Sequence, residues 1–332
     1  MIIHLSKETG LERAKQIGND IKAFVIEAED KFVLVSSSGM KEIPVELEPL
    51  VHDKYVFEND MQLSSRQYLE HTREVKIGNV TIGGNTGNVL VIAGPCSVES
   101  EEQIRQSSDL LKELGLTTLR GGCYKPRTSP YSFQGLGLEG LKLLKKMKEE
   151  YGLNVITEVR DATHVHDVIE YSDVIQVGAK AMYDQGILRA CAKTNKPVLI
   201  KRGFGSTLQE FVQCAEFVLS GGNENVILCE RGIRTFETKT RFTLDLCGVA
   251  FLKEHTNLPV VLDPSHAMGH RYGVPDLTRA CVAMGIDGLL IEVHPDPSVA
   301  KSDAAQQLDH DMFKNLLKSL PPVAQAVGCK II

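Results

Sequence analysis

Four side chains of the kinds that bind metal ions stand at the ends of apolar stretches or in the loops that follow them. Cys96 follows the run VLVIAGP, His266 follows VVLDPS, Glu292 ends GLLIE, and Asp303 stands in the loop beyond it. A thiolate, an imidazole and two carboxylates suit a divalent transition metal. The residues alone leave other interpretations open: Cys96 could be a nucleophile with His266 as its base, or a small core residue with His266 capping a turn.

Basic side chains stand in corresponding places after other apolar stretches. Six of them make up this group: Arg120, Lys125, Arg127, Lys180, Lys201 and Arg231. Like charges brought together cost free energy unless an anion neutralises them. Arginine and lysine suit phosphate and carboxylate groups, so the group predicts a ligand with more than one anionic group. Any one of them could instead be a solvated surface residue or the partner of an acid. Lys180 or Lys201 could also form a Schiff base with a carbonyl substrate.

Bringing these side chains together requires the apolar stretches to end on one side of the molecule. Short apolar runs with amphipathic helical stretches between most of them predict a closed parallel (β/α)8 TIM barrel, in which active sites lie at the carboxyl ends of the strands. The predicted strands are Asn88–Ala93, Thr117–Arg120, Asn154–Glu158, Val174–Val177, Pro197–Lys201, Asn225–Cys229, Pro259–Leu262 and Gly288–Ile291. An open doubly wound sheet is the alternative, but no Gly-x-Gly-x-x-Gly follows the first strand.

The first part of the chain has a different order of elements. Strand, helix, two strands, a second helix and a last strand form the ferredoxin-like pattern, although Pro44 and Pro49 weaken the second helix. We therefore predict a small ferredoxin-like α+β domain over residues 1–65 and a catalytic barrel over residues 66–332. Residues 61–72 have the composition of a linker, and residues 73–83 predict a hairpin about Gly78-Asn79.

The composition disfavours several classes of protein. The 332 residues carry a formal net charge of −6, which gives no general attraction to nucleic acid or to anionic membranes. No apolar stretch is long enough to span a membrane, and the first ten residues show no signal-peptide pattern. The eight cysteines are scattered without a Cys-x-x-Cys pair. This argues against a disulfide framework or a zinc knuckle and indicates a reducing, cytoplasmic compartment.

From Val75 to the C-terminus the chain resembles the 3-deoxy-D-arabino-heptulosonate 7-phosphate (DAHP) synthases. More closely, it is similar to the bacterial subtype with an N-terminal ferredoxin-like regulatory domain. The motifs that carry the resemblance are AGPCSVES, LRGGCYKPRTSPYSFQGLG, KPVLIKRG, ILCERGIRTFE, LDPSH and IEVHPDP. The resemblance implies a transferase that condenses phosphoenolpyruvate with erythrose 4-phosphate. This is the first step of the shikimate pathway to chorismate and the aromatic amino acids.

The resemblance also implies roles for individual residues. One divalent ion, such as Mn²⁺, Fe²⁺ or Zn²⁺, would be held by Cys96, His266, Glu292 and Asp303. The carboxylate side of phosphoenolpyruvate would meet Arg120 and Lys125, and its phosphate would meet Lys180, Lys201 and Arg231. Erythrose 4-phosphate would be bound through its phosphate by Arg127, Thr128 and Ser129. The catalytic residues would be Lys125 as proton donor, Glu158 as the residue that orients water, and Asp263 at the substrate hydroxyls.

Two positions depart from the family pattern. Lys180 stands where the family usually has arginine, which keeps the charge but loses the two-pronged guanidinium. Cys123 stands where alanine is common, as a second thiol near the site or as small packing. The related 3-deoxy-octulosonate 8-phosphate synthases use arabinose 5-phosphate and share the barrel. Some of them carry asparagine at the cysteine position, and they have a KANRSS-like stretch where this chain has KPRTS.

The N-terminal residues hold no cysteine and no cluster of site-type residues. We therefore expect residues 1–65 not to catalyse. Small regulatory domains of this shape bind amino acids, and the pathway that the resemblance implies points to an aromatic end product such as tyrosine or phenylalanine as the inhibitor. The alternative is that these residues only hold the oligomer together. A small sheet with helices on one face needs a cover on the other. The equivalent sheet of a neighbouring subunit, in a homotetramer or a dimer, or the chain's own barrel mouth are the expected covers.

Overall fold

The structure is a computed structural model that describes residues 1–125 and 129–332. Its N-terminal part is a sheet in which every neighbouring pair is antiparallel, in the order β2-β3-β1-β4. The elements are β1 (Ile2–Ser6), α1 (Leu11–Asp20), β2 (Phe24–Glu27), β3 (Lys31–Val35) and β4 (Val51–Tyr55). This is the predicted ferredoxin-like order. The expected second α-helix is instead a 3-10 helix over Val45–Leu50, because Pro44 precedes it and Pro49 lies inside it.

A two-stranded hairpin follows, with β5 (Glu74–Ile77) pairing antiparallel to β6 (Val80–Gly83). Its turn is the predicted Gly78-Asn79, where Gly78 has a φ of 58°. A side chain at that position would run into Asn154.

Eight parallel strands then close into the predicted barrel, because the last of them pairs with the first. The strands are β7 (Asn88–Gly94), β8 (Thr118–Arg120), β9 (Asn154–Val159), β10 (Val174–Val177), β11 (Val198–Lys201), β12 (Val226–Glu230), β13 (Val260–Leu262) and β14 (Gly288–Glu292). A short strand, β15 (Lys330–Ile331), pairs with β7. β12 and β14 run one residue further than predicted, so Glu230 and Glu292 are the last residues of their strands.

Helices connect the barrel strands and cover their outer surface. They are α2 (Glu101–Glu113), α3 (Leu138–Tyr151), α4 (Val165–Tyr171), α5 (Gln185–Ala192), α6 (Leu208–Leu219), α7 (Leu246–His255), α8 (Pro264–Met268), α9 (Val274–Ala283) and α10 (His310–Ala326). Six of these helices begin with a side-chain cap; Thr207, for example, forms a capping box with Glu210 at the start of α6.

The barrel interior is apolar at its amino end. The hairpin residues Val75, Ile77 and Ile82 pack against side chains from inside the strands, among them Leu90 and Leu290, in one buried cluster. We call residues 74–83 the hairpin plug. Asn154, at the start of β9, fastens the plug by donating a hydrogen bond from Nδ2 to the carbonyl of Ile77.

The predicted linker is a buried part of the structure. Residues 61–65, which we call the strap, lie between the N-terminal sheet and the barrel. Glu216 of α6 accepts hydrogen bonds from the backbone amides of residues 62, 63 and 64 and from the Ser64 hydroxyl. Asn257 donates to the carbonyls of Leu63 and Ser65.

The same segment corrects one expectation about the N-terminal sheet. Ile2, Val33 and Val35 on the face away from α1 belong to one buried cluster with Phe57, Met61, Leu63 and the barrel's outer core. The chain's own residues therefore cover the centre of that face. The expectation of a neighbouring sheet or the barrel mouth as the cover overlooked these apolar residues of the linker; a neighbouring subunit beside them stays a prediction. In the described part of the chain no helix is long and apolar enough to cross a membrane.

Candidate active site

Three of the four predicted metal-donor residues form a compact cluster at the carboxyl end of the barrel. One donor atom from each of Cys96, Glu292 and Asp303 lies within 4.8 Å of the other two. Cys96 follows β7, Glu292 ends β14, and these two strands are neighbours in the barrel. Cys96 Sγ lies 3.4 Å from Asp303 Oδ2. The turn that follows β7 thus directs Cys96 toward Glu292 at the end of the neighbouring strand β14.

His266 completes the predicted set from the short helix α8, just after β13. Its Nε2 lies 3.4 Å from Glu292 Oε1 and 4.0 Å from Asp303 Oδ2. Its Nδ1 lies 2.7 Å from Asp263 Oδ2. An ionised carboxylate only accepts hydrogen bonds, so Nδ1 carries the proton and the Nε2 lone pair faces the cluster. A carboxylate behind a histidine in this way is the usual arrangement at metal sites.

Burial and charge set the protonation of these groups. Burial, and then the nearby Glu292, raise the pKa of the Cys96 thiol to about 12, while burial lowers the pKa of His266. Burial alone would raise the pKa of Asp263, but His266 and Lys201 hold it well below its usual range. A neutral imidazole and ionised carboxylates are the forms that bind metal. The pKa is this high even with the Lys125 ammonium nearby, so ionising the thiol near neutral pH requires a metal ion beside it.

Two predicted cations lie directly behind the cluster. The guanidinium of Arg120 donates from Nη1 to Glu292 Oε1 and to the carbonyl of Pro95, both at 2.8 Å. Its Nε is buried and has no hydrogen-bond partner among the residues that the structure describes. Lys125 Nζ lies 3.0 Å from the Cys96 carbonyl and 3.2 Å from Cys96 Sγ. The orphaned nitrogen of Arg120 is a donor that a bound anion could satisfy.

Two more basic residues of the prediction, Lys201 and Arg231, differ in whether an acidic side chain neutralises their charge. Lys201 Nζ lies 2.5 Å from Asp263 Oδ2 in a buried ion pair. Arg231 is 4% exposed and forms no ion pair with the described residues; it bonds only the Gly232 carbonyl at 3.4 Å and lies over the Phe242 ring at 4.2 Å. Burial lowers the pKa of Arg231. A buried guanidinium without an acid partner is costly unless an anion binds it.

One cavity of about 390 Å³ joins most of these groups. Seven residues that the sequence analysis assigned to the site line this cavity: Lys125, Glu158, Lys180, Lys201, Arg231, His266 and Asp303. Glu158 is held there by Gln176, whose Nε2 donates to its Oε2 at 2.6 Å. A larger cavity of about 450 Å³ lies elsewhere, between the N-terminal sheet and α6. The chemistry points to the smaller cavity, because basic residues and metal-type donors line it.

Some predicted residues do not line this cavity. Ser129 is described, but it accepts hydrogen bonds from Gln134 and Tyr131 within its own loop. Arg127 and Thr128 lie outside the described residues. Cys123 is fully buried against Gly140 of α3, and burial raises the pKa of its thiol to about 12. Its position agrees with small packing.

Several residues at the site were not predicted. The cavity is also lined by Arg234, Arg241, Phe204 and Phe242. The two phenylalanine rings are stacked, with their centroids 5.5 Å apart. Gln306 and Gln307 are buried behind the donor cluster. Arg234 carried a signal, since its charge stands only four residues after the end of β12, whereas Arg241 lies eleven residues beyond it. The glutamines carry no charge, so a search for ionisable residues passes over them.

The fold and the site together define a barrel enzyme that binds anionic substrates beside a set of metal-type donors. Comparison with known proteins agrees with this class. Residues 61–327 match the model of the DAHP synthetase I family. The chain therefore belongs to that family.

Individual relatives sharpen the assignment. The chain is 45% identical to the phospho-2-dehydro-3-deoxyheptonate aldolase of Thermotoga maritima over 81% of this chain and 79% of that protein. The crystal structure of a DAHP synthase from the same organism matches with a TM-score of 0.80 and 36% identity over 100% of this chain and 98% of that one. A 2-dehydro-3-deoxyphosphooctonate aldolase of Syntrophotalea carbinolica is 34% identical over 74% of this chain and 94% of that protein. The predicted DAHP synthase, an aldol-type condensing enzyme, is confirmed at the level of family and activity.

Proposed function

We propose that the mouth of the barrel condenses phosphoenolpyruvate with D-erythrose 4-phosphate and water, releasing DAHP and phosphate with one divalent metal ion bound. The observation that supports this most is the cavity in which Lys180, Lys201 and Arg231 meet the donor cluster of Cys96 and its neighbours. Two phosphates and a carboxylate require several cations, and an aldehyde oxygen benefits from a Lewis acid.

The donor set fits a divalent transition metal such as Mn²⁺, Fe²⁺ or Zn²⁺. Cys96, His266, Glu292 and Asp303 would hold it, and His266 is already oriented by Asp263. When bound, the ion would polarise the aldehyde of erythrose 4-phosphate.

The chain's own cations would hold phosphoenolpyruvate. Arg120 and Lys125 would bind its carboxylate, which gives the orphaned Nε of Arg120 a partner. Lys180, Lys201 and Arg231 would bind its phosphate, which compensates the buried charge of Arg231. This clamp would face C3 of the enol toward the aldehyde carbon and so supply the positioning part of catalysis.

The reaction then needs one proton donor and one water. C3 attacks the aldehyde carbon, and Lys125 gives a proton to the aldehyde oxygen. Water, oriented by Glu158 on the cavity wall, adds at C2, and phosphate leaves as the C2–O bond breaks. Asp263 is fully buried between Lys201 and His266. Its contact with the substrate hydroxyls remains a prediction, as do the contacts of Arg127, Thr128 and Ser129 with the second phosphate.

A Schiff-base aldolase is the second possibility at this site. The ion pair with Asp263 argues against Lys201 as the nucleophile, since a charged ammonium does not attack a carbonyl. Borohydride with substrate would trap an imine on Lys201 or Lys180, and a chelator would leave such an enzyme active.

Phosphate release decides between the two aldehyde substrates. The purified enzyme is mixed with phosphoenolpyruvate and either erythrose 4-phosphate or arabinose 5-phosphate. We expect faster release with erythrose 4-phosphate. We also expect Arg127→Ala to raise the KM for erythrose 4-phosphate much more than that for phosphoenolpyruvate. Faster release with arabinose 5-phosphate would identify a 3-deoxy-octulosonate 8-phosphate synthase instead.

We also propose that residues 1–65 form a regulatory domain that binds an aromatic amino acid in a cytoplasmic homo-oligomer, a tetramer or a dimer. The cavity beside α6 supports the ligand class: Phe24 and Phe217 provide apolar walls, and Lys22 and Asp60 provide opposite charges for an α-carboxylate and an α-ammonium. Deleting residues 1–61 should leave an active enzyme that tyrosine and phenylalanine no longer inhibit. Full-length enzyme that ignores both amino acids would leave the N-terminal residues with a structural role alone.

A further inference from the structure

We propose that Gln306 is a positioning residue that orients two of the metal-donor carboxylates at once, Glu292 directly and Asp303 through Arg241. The inference rests on the proposed metal site and extends it to a residue that touches neither substrate nor ion. Gln306 is 1% exposed and lies in the loop between β14 and α10.

Both ends of the Gln306 amide are used. Its Nε2 donates to Glu292 Oε2 at 2.6 Å. Its Oε1 accepts from Arg241 Nη1, also at 2.6 Å. The same Arg241 nitrogen lies 3.4 Å from Asp303 Oδ1. One neutral side chain therefore links Glu292, at the end of β14, with Asp303 in the loop that follows, in the second case through Arg241.

The two carboxylates are held in the same way. In Glu292, Oε2 is occupied by Gln306, while Oε1 faces Arg120 and His266. In Asp303, Oδ1 is occupied by Arg241, while Oδ2 faces Cys96 and His266. Gln306 and Arg241 thus fix the outer oxygens and leave the inner oxygens directed at the donor cluster.

The backbone at Asp303 explains why such support is needed. Asp303 has a φ of 45°, the left-handed region that residues other than glycine seldom adopt. The turn is closed by a hydrogen bond from the backbone N–H of Gln306 to the carbonyl of Asp303 at 3.2 Å. A strained loop can relax, so a side-chain anchor that links it to β14 keeps the carboxylate in place.

Helix α2 offers a matched control. Gln103 is also buried, and its amide also makes two hydrogen bonds, to the Ser97 carbonyl and from the Glu99 amide. Both partners are backbone atoms near Cys96, and neither is a donor side chain. Gln103→Met and Gln306→Met therefore each remove two buried hydrogen bonds, but only the second removes support from the carboxylates.

The test measures metal affinity in the full-length protein, by competition between the metal-stripped chain and a chromophoric chelator for Co²⁺ or Zn²⁺. Gln306→Met should weaken binding about 10- to 100-fold, the usual effect of losing the hydrogen bond behind a ligand. It should also shift the visible absorption of the Co²⁺ form, since the ligand geometry changes. Gln103→Met should keep wild-type affinity and spectrum, although it destabilises the fold to a similar extent.

The outcomes separate this inference from the proposed function. If wild type binds no metal, the metal site itself falls. If wild type binds metal and Gln306→Met binds it equally with an unchanged spectrum, or if Gln103→Met weakens binding as much, the positioning role is overturned. Should Gln306→Met fail to fold, Gln306→Asn carries the same test, because it keeps the amide and is one methylene too short to reach both partners.

Discussion

The two ends of the barrel are built on opposite principles. At the amino end the hairpin plug buries Val75, Ile77 and Ile82 against apolar side chains from inside the strands. At the carboxyl end Arg120, Lys201, Asp263 and Glu292 are as deeply buried, but they are joined in two ion pairs, Arg120 with Glu292 and Lys201 with Asp263. The apolar end stabilises the fold at low cost, and the charged end uses part of that stability to hold reactive groups out of water.

The comparison teaches where stability and activity should separate. Substitutions in the plug should lower the free energy of unfolding and spare activity. Substitutions of a charged residue without a partner at the mouth should lower activity and leave the free energy of unfolding equal or higher. Four predictions test or sharpen this comparison, beginning with the largest expected effect, and a matched variant accompanies three of them.

Arg231→Met should reduce kcat/KM for phosphoenolpyruvate roughly 10²- to 10³-fold, the usual cost of losing one electrostatic contact in an active site. The free energy of unfolding should stay equal or rise, because Arg231 is buried without an acid partner among the described residues. Steady-state kinetics and urea unfolding of the same preparation check both points.

Arg202 is the control for Arg231. It lies at the same end of the barrel, but it donates to Glu230 at 2.9 Å and to Asp245 at 2.8 Å. Arg202→Met leaves Glu230 buried and unpaired, so it should lower the free energy of unfolding by about 3–5 kcal/mol. If Arg231→Met and Arg202→Met change the free energy of unfolding by the same amount, the absence of an acid partner at Arg231 has no effect on stability and the prediction is wrong.

Ile77→Ala in the plug should lower the free energy of unfolding by about 3 kcal/mol and leave kcat and both KM values unchanged. Ile77 is 1% exposed, so the substitution opens a cavity at the amino end only. Ile77→Val should cost about 1 kcal/mol by the same measurement. A large fall in kcat with little loss of stability would show that the two ends are coupled.

Glu216→Ala should free the strap, because the amides of residues 62–64 lose their acceptor. We expect a loss of about 1–3 kcal/mol and faster proteolytic cleavage near the strap. Glu216→Gln is the matched variant: it keeps the oxygen that accepts three of the four hydrogen bonds, so it should behave much more like wild type. Equal cleavage of all three proteins would mean that Glu216 does not hold the strap.

Lys180→Arg should have the smallest effect, with a KM for phosphoenolpyruvate equal to or below that of wild type. Arginine keeps the charge at the cavity wall and adds a second donor for phosphate. A large loss of activity would mean that the cavity is shaped around lysine, and that the family role does not carry over to this position.

Much of the fold and of the site could be predicted because the signals are local. Each barrel strand is a short apolar run, and Cys96, Glu292 and Lys201 stand at or just past the ends of such runs. Parallel strands bring their carboxyl ends to one edge, so placing the strands also places those residues. The hairpin was equally local, since Gly78-Asn79 marks its turn.

The rest depends on contacts between distant parts of the chain. Residues 61–65 have the composition of a linker, but they are buried. Their polar backbone groups are bonded by Glu216 and Asn257, which lie far along the sequence and give no local signal. Arg241 lies well beyond the end of β12, and Gln306 carries no charge. Their importance follows from the side chains they meet in space, which no spacing rule reveals.

Metal reconstitution tests the central claim about the charged end most directly. The enzyme is stripped with a chelator, titrated with Mn²⁺, Fe²⁺ or Zn²⁺, and assayed for phosphate release from phosphoenolpyruvate and erythrose 4-phosphate, with Cys96→Ser in parallel. We expect the stripped enzyme to be inactive, one ion per chain to restore activity, and Cys96→Ser to need more metal, because a hydroxyl replaces a thiolate. Full activity in the stripped enzyme, or identical titrations for the two proteins, would contradict the account.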